Sequence, residues 1–426
     1  MGAATGEMSR RLGLGAGSTV GGRAILAVDP EALRRLGRGR RSVLVSGTNG
    51  KTTTTSFLRA ALATAGPVVT NLQGANLPFG IAAALADGAS GADAVLEVDE
   101  AWLARVATAL EPEVVVLLNS SRDQLDRNSE VRVLAGAWRQ LLAGCSGSVV
   151  ANADDPLVAW AAGAADRVVW VGAGQPWTAD ASACPACGGT VAFPAAAAPS
   201  GPAGPVGSPL VAAEAGWSCS SCDLRRPALD VRLGPDEVVW ADGQRVALRL
   251  GLPGRANRAN AAMALAAAAV LGVDADEAAA AIGAIDEVAG RYRVGRVEGA
   301  FARLLLAKNP AGWLEVLDVL RPAPTPVVVA INARIADGRD PSWLWDVPFE
   351  ALAGRPVIAT GERGRDLAVR LHYAEVDHRY AGDLLEAVRA AARLAVPAPD
   401  APAGAPPQLD VVANYTAFQA LLARLP

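Results

Sequence analysis

The run Gly47-Thr-Asn-Gly50-Lys51-Thr52-Thr53 constrains this chain more than any other stretch. It follows Arg41-Ser-Val-Leu-Val-Ser46, a short β-branched apolar run that reads as a buried strand. Ser56–Thr64, which comes next, has helical character. Strand, glycine-rich turn, Lys-Thr and helix together make a phosphate cradle. Backbone N–H groups and the helix N-terminus face the anion, and Lys51 adds a point charge. Thr52 offers a hydroxyl to Mg2+. The longer pattern G-x-x-x-x-G-K-[ST] asks for glycine at position 45, where this chain has Val45. The shorter G-T-N-G-K-T-T form is nonetheless specific when it follows a strand.

The 426 residues leave room for two or three domains. No apolar run reaches the ~20 residues of a membrane span, and no secretory signal opens the chain. A cytoplasmic location is therefore expected. The net charge of −4 argues against a general binder of polyanions. Four of the five cysteines form two knuckles, Cys184-Pro-Ala-Cys187 and Cys219-Ser-Ser-Cys222. Each knuckle brings two thiolates to one ion, and two knuckles complete a tetrahedral zinc site. A redox pair or a vestigial site are the alternatives. The Ala/Pro/Gly-rich spacer Pro194–Pro209 reads as an excursion between them. Basic residues near the knuckles are few, so a structural staple is preferred over a nucleic-acid ribbon. Cys145 reads as a small buried hydrophobe. His372 and His378 offer no credible Cys–His nucleophile pair.

The run GTNGKTT resembles the ATP-binding loop of the Mur ligases and folylpolyglutamate synthetases, which phosphorylate a carboxylate and let an amine attack the acyl phosphate. Further elements follow in the order that resemblance implies. Asn71-Leu-Gln-Gly-Ala-Asn76-Leu-Pro78 is similar to the loop after the second strand. Ala94-Val-Leu-Glu97-Val-Asp-Glu100 matches the place of the metal-binding glutamate. Val114–Asn119 is another buried strand, followed by Arg122-Asp-Gln-Leu-Asp-Arg127. Asn152-Ala-Asp-Asp-Pro156 resembles the NADDP element, and Gly254-Arg-Ala-Asn257-Arg-Ala-Asn260-Ala the helix start that flanks the nucleotide. The resemblance therefore implies a nucleotide site built from Gly47, Thr48, Asn49, Gly50, Lys51, Thr52, Thr53, Asn76, Asn257, Asn260 and Arg291. It also implies Mg2+ held by Thr52 and Glu97, with Glu97 serving catalysis.

Two departures point to one branch. Only about 40 residues precede the phosphate strand, too few for a nucleotide-sugar domain, and the cysteine insertion is foreign to ordinary members. Both fit the MurT family, ATP-binding subunits of lipid II isoglutaminyl synthase, as do Leu304–Gly312, Asp337–Asp346, Ala359–Arg363 and Asn414–Phe418. That resemblance implies ATP-dependent amidation of the D-glutamate α-carboxylate of lipid II to D-isoglutamine. The ammonia comes from a GatD-like glutaminase. An aspartate of the 337–346 stretch, Asp337 first and Asp340 next, is expected to complete the partner's Cys–His pair. The carbamylated lysine of many Mur ligases has no candidate here, since no lysine lies between Thr52 and Ala300. An amino-acid ligase and a nucleotide-binding zinc-ribbon scaffold are the rival readings.

The expected fold is α/β. Residues 1–40 form an N-terminal segment, and 41–293 a Mur ligase-type P-loop ATPase domain with a four-cysteine zinc ribbon inserted at about 175–228. Residues 294–426 form a smaller α/β, Rossmann-like domain. Gly290–Gly299 is the expected hinge.

Overall fold

Runs such as Val114-Val-Val-Leu117 are apolar at every position, so a strand made of them must be covered on both faces. In a computed structural model this is where they lie. It describes residues 18–71, 75–123, 130–193, 216–288, 292–397 and 404–425. The chain divides into two compact units, residues 1–121 with 130–286, and residues 122–129 with 287–426.

The first unit is built on a nine-stranded sheet. Its strands are β1 (Ser42–Ser46), β2 (Val68–Val69), β3 (Asp93–Glu97), β4 (Val114–Leu117), β5 (Ser148–Asn152), β6 (Val168–Gly172), β9 (Val231–Leu233), β10 (Glu237–Trp240) and β11 (Arg245–Ala247). They run in the order β11-β10-β9-β6-β5-β4-β1-β3-β2. The pairs from β2 through β9 are parallel, and β9, β10 and β11 form an antiparallel edge. Every residue of β1 and β4 is buried. On one face Leu44, Leu96, Val115 and Leu117 pack with Ile81, Leu103, Val106, Trp138 and Leu142 of the covering helices. Helix Lys51–Ala63 packs against Arg255–Val270 and Ala275–Gly283. The alanine run from Ala261 to Ala268 is buried there. Small side chains let these helices approach closely, which accounts for the run of alanine at this point of the chain.

The cysteine insertion is a small appendage of this unit. Its two strands, β7 (Val191–Ala192) and β8 (Ser218–Cys219), pair antiparallel over two residues each. Trp217, Cys184 and Val191 share a small cluster with Ala159 of the neighbouring helix. The spacer that reads as an excursion lies outside the described residues.

The second unit holds a six-stranded sheet. It comprises β12 (Tyr292–Val297), β13 (Ala300–Leu306), β14 (Val327–Ala330), β15 (Val357–Thr360), β16 (His378–Tyr380) and β17 (Gln408–Ala413). The order is β12-β13-β17-β14-β15-β16, with only the β12–β13 pair antiparallel. Strand alternation sends Leu305, Val329 and Val412 to one core and Leu304, Val328 and Val411 to the other. Among the described residues no helix is long and apolar enough to cross a membrane.

Candidate functional site

The carboxyl ends of β1, β3 and β4 converge on the glycine-rich turn, where open α/β sheets commonly place their ligands. Gly47 and Gly50 have φ of 141° and 88°. A Cβ on Gly47 would lie 2.9 Å from Leu118 Cβ, and one on Gly50 would lie 2.4 Å from Asn260 Oδ1. Glycine is therefore required at both positions by backbone conformation and by close approach. Helix Lys51–Ala63 begins directly after Gly50.

The loop after β4 fastens the turn. Thr48 N–H donates to Asn119 O at 3.0 Å. Asn49 N–H donates to Asn119 Oδ1 at 2.9 Å, and Asn119 Nδ2 returns a bond to Asn49 O at 3.0 Å. Thr48 Oγ1 donates to Ser121 O and accepts from Ser121 N–H, at 3.1 and 3.0 Å. Neither Asn119 nor Ser121 is among the site residues that the resemblance implies. The signal was present: a polar Asn-Ser-Ser run at the end of a buried strand.

Lys51 is buried, and its Nζ donates to the carbonyls of Gly47 and Thr48 and, at 2.9 Å, to Glu100 Oε2. Thr52 Oγ1 donates to Glu97 Oε2 at 2.8 Å. Asn76 Nδ2 meets Glu97 Oε1 at 3.3 Å. Asn71 grips the Glu97 backbone on both sides, with Glu97 N–H to Asn71 Oδ1 at 2.8 Å and Asn71 Nδ2 to Glu97 O at 2.7 Å. The hydroxyl and carboxylate expected to hold Mg2+ are thus neighbours, a donor set that suits a hard cation sharing phosphate oxygens. Glu97 does not end its strand in solvent; it is 1% exposed. Thr53 is buried on the same helix. Asn257 Nδ2 donates to Pro253 O at 2.7 Å, tying its helix start to the preceding loop. Gly254, not Asn257, occupies the N-cap. Arg291 lies outside the described residues, as do 124–127.

Asn152–Pro156 is a buried junction rather than a surface turn. Asp155 Oδ1 accepts from Leu157 and Val158 N–H and caps helix Pro156–Ala162. Its Oδ2 accepts from Ser120 N–H at 2.7 Å and Gln175 Nε2 at 3.1 Å. Burial pushes the Asp155 carboxyl up to about 6, although the Ser120, Val158 and Leu157 N–H groups favour the anion. Its neighbours receive the cysteine insertion. Trp217 Nε1 donates to Ala153 O at 3.0 Å, and Arg226 Nε forms an ion pair with Asp154 Oδ1 at 2.6 Å.

The four sulfurs of Cys184, Cys187, Cys219 and Cys222 lie within 4.8 Å of one another. Cys184–Cys222 and Cys187–Cys219 are 3.7 and 3.5 Å apart. A tetrahedral zinc with Zn–S of about 2.3 Å sets its sulfurs about 3.8 Å apart, so the cluster fits that ion. Gly189 and Ser221 N–H groups point at Cys187 and Cys219 sulfur, at 3.4 and 3.3 Å. Donation from Ser221 lowers the Cys219 thiol to about 7. Cys145 packs against the main core, away from chemistry.

In the second unit, Asp337 is buried. Its Oδ1 accepts from Thr416 N–H at 2.9 Å, and its Oδ2 bonds Thr416 Oγ1 and, at 3.3 Å, Arg334 N–H. Asp340 is exposed and accepts from Ser342 N–H and Oγ at 2.8 and 2.9 Å. Trp343 packs on the core, whereas Trp345 is exposed beside Tyr373, with ring centroids 5.5 Å apart. Lys308 pairs with Asp123.

Residues 45–183 match the model of the Mur ligase middle domain. The structure resembles a pseudomurein peptide ligase type C from Methanothermus fervidus, with a TM-score of 0.65, 18% identity and coverage of 89% of this chain and 77% of that one. The fold is that of the Mur ligases. Residues 306–418 match the MurT ligase C-terminal model. The MurT subunit of the glutamine-hydrolysing lipid II isoglutaminyl synthase of Streptococcus pneumoniae is 30% identical over 84% of this chain and 82% of its own length. The Staphylococcus aureus MurT subunit is 28% identical over 85% and 84%. This chain belongs to the MurT family.

Proposed function

We propose that this chain is the ATP-binding subunit of a lipid II isoglutaminyl synthase, amidating the D-glutamate α-carboxylate of the lipid II stem peptide. The observation that carries the reading is the meeting of Thr52 Oγ1 and Glu97 at 2.8 Å beside Lys51, at the start of a helix that follows a glycine-rich turn. The turn acts as a P-loop: N–H groups of Gly47–Thr53 and the helix N-terminus receive the phosphates, and Lys51 neutralises them. Thr52 and Glu97 would hold Mg2+, which when bound offsets phosphate charge so that a carboxylate oxygen can approach in line. Asn76 orients Glu97. Asn257, Asn260 and Arg291 border the nucleotide by resemblance, with Asn260 reaching Gly50. Phosphoryl transfer forms an acyl phosphate. Ammonia then attacks the carbonyl carbon, and phosphate leaves.

The ammonia is supplied by a GatD-like glutaminase, and the relatives are named as subunits of a glutamine-hydrolysing enzyme. An acid that orients a partner's imidazole must be reachable. That favours Asp340 over the buried Asp337, whose oxygens serve Thr416 and Arg334. The same reading takes zinc as the structural ion of the four cysteines, the second unit as a Rossmann-like domain, and the cytoplasm as the place of work. The test is co-purification with GatD-type glutaminases and an assay of ATP- and glutamine-dependent amidation of lipid II. Amidation that needs all three components supports the reading. ATP turnover with an amino acid but not with ammonia overturns it.

A further inference from the structure

Glu100 is a charged group beside the turn, paired with Lys51, that the expected site does not use. Glu100 and Lys51 are both almost entirely buried, with side-chain exposures of 10% and 7%, and their Nζ–Oε2 distance is 2.9 Å. The glutamate is itself held firmly. Asp99 caps the short turn Glu100–Trp102 through Ala101 N–H, and the buried Trp138 donates its indole N–H to Glu100 O at 3.1 Å. A buried ammonium without a counter-charge is costly, and a buried carboxylate equally so. Each therefore stabilises the other in the nucleotide-free protein.

Nucleotide phosphates are a second claimant on the same ammonium. When they arrive, Lys51 must share its charge or change partner, and the Glu100 carboxylate opposes the incoming anion. Its cost has then been met partly by an interaction the nucleotide weakens. We infer that Glu100 is a positioning residue of the nucleotide site, holding Lys51 charged and directed at the turn while lowering nucleotide affinity by competing for it. The inference rests on the nucleotide-binding reading above. Its functional consequence is faster release of ADP, bought with weaker ground-state binding.

The sign of the effect separates this role from a merely structural one. Loss of a structural contact weakens ligand binding. Loss of a competing carboxylate tightens it, because the phosphates now supply the missing counter-charge to a buried ammonium. The experiment compares the full-length wild type with Glu100→Gln and Glu100→Asp. It measures the Kd of ADP with Mg2+ by calorimetry, and Tm with and without that ligand. The Gln variant should have a lower Tm without nucleotide, bind ADP about tenfold more tightly, and show a larger nucleotide-induced rise in Tm. The Asp variant, whose carboxylate sits further from Lys51, should fall between the two. Unchanged or weaker ADP binding in the Gln variant overturns the inference. If that variant does not fold, the Asp variant decides alone, tighter than wild type in support and equal or weaker against. A wild type that binds no nucleotide overturns the underlying reading and this inference with it. A wild type that binds while the variants do not tighten overturns this inference alone.

Discussion

The glycine-rich turn and the four-cysteine insertion are both short motifs joined to the same sheet, yet they are held in place by opposite means. The turn caps the end of a large scaffold and is itself half-buried to buried. β1 behind it is buried throughout, and Asn119 and Ser121 lace it to the neighbouring strand end. Its shape does not need a ligand. The insertion has two strands of two residues and a handful of apolar side chains around Trp217. That is far too little apolar surface to offset the ordering of its backbone. What it has instead is four sulfurs at the spacing of one tetrahedral ion. Where burial is plentiful, a site can be shaped in advance; where it is scarce, a cluster of metal-type ligands such as these four sulfurs can stand in for a core once it holds an ion.

The largest expected effect tests the second half of that contrast. Stripping metal with a chelator, or replacing Cys187 with Ser, should unfold the insertion, because a structural zinc contributes on the order of 10 kcal/mol to a site of this kind. Hydrogen exchange over 183–193 and 216–226 should rise to the unprotected rate while β1 and β4 stay protected. Protection that survives metal loss would show that the small core suffices, and the contrast would collapse.

Lys51→Met comes next and addresses the turn. Transition-state charge stabilisation of this type is worth about a thousandfold in rate. ATP-dependent amidation by the complex should fall by that factor while circular dichroism and zinc content remain those of the wild type.

Arg226→Ala probes the junction between the regions. It leaves Asp154 without its partner in a site where both side chains are 11% exposed, a loss of about 4 kcal/mol. The expected result is a lower Tm by thermal unfolding of the zinc-loaded protein. An effect near zero would mean that apolar packing around Trp217, rather than this ion pair, docks the insertion.

The smallest effect concerns Asp155. Its carboxyl titrates near 6 when folded against an ordinary value of 3.8. Between those values the folded chain binds the extra proton, so stability from this group is present at low pH and is lost as pH rises from about 4 to about 6. The loss amounts to at most about 3 kcal/mol. Denaturant titrations across that window should show a flatter pH dependence for Asp155→Asn than for wild type. Parallel curves would rule out the buried-acid account.

How much of this was readable in advance depended on whether the signal was local. The order of strand, turn and helix, the four cysteines and the pairing of Thr52 with Glu97 rest on spacing within a motif or on a motif's place in a known order. Glu100 stood in plain view, three residues after Glu97, but only packing showed which of the two acids faces the ammonium. Asp337 and Asp340 are indistinguishable by spacing around Gly338 and Arg339. Burial separates them, because one is drawn into the sheet end by Thr416, 79 residues along the chain.

By itself the sequence determined the class of fold, the glycine-rich turn between strand and helix, the clustered cysteine set and the kinship. All of these depend on backbone preference and on residue chemistry at short range. The tertiary structure decided which groups share a buried proton or charge. Electrostatics in a low-dielectric interior acts through space, and the distances that set it, Lys51 to Glu100 and Arg226 to Asp154, join residues 49 and 72 positions apart.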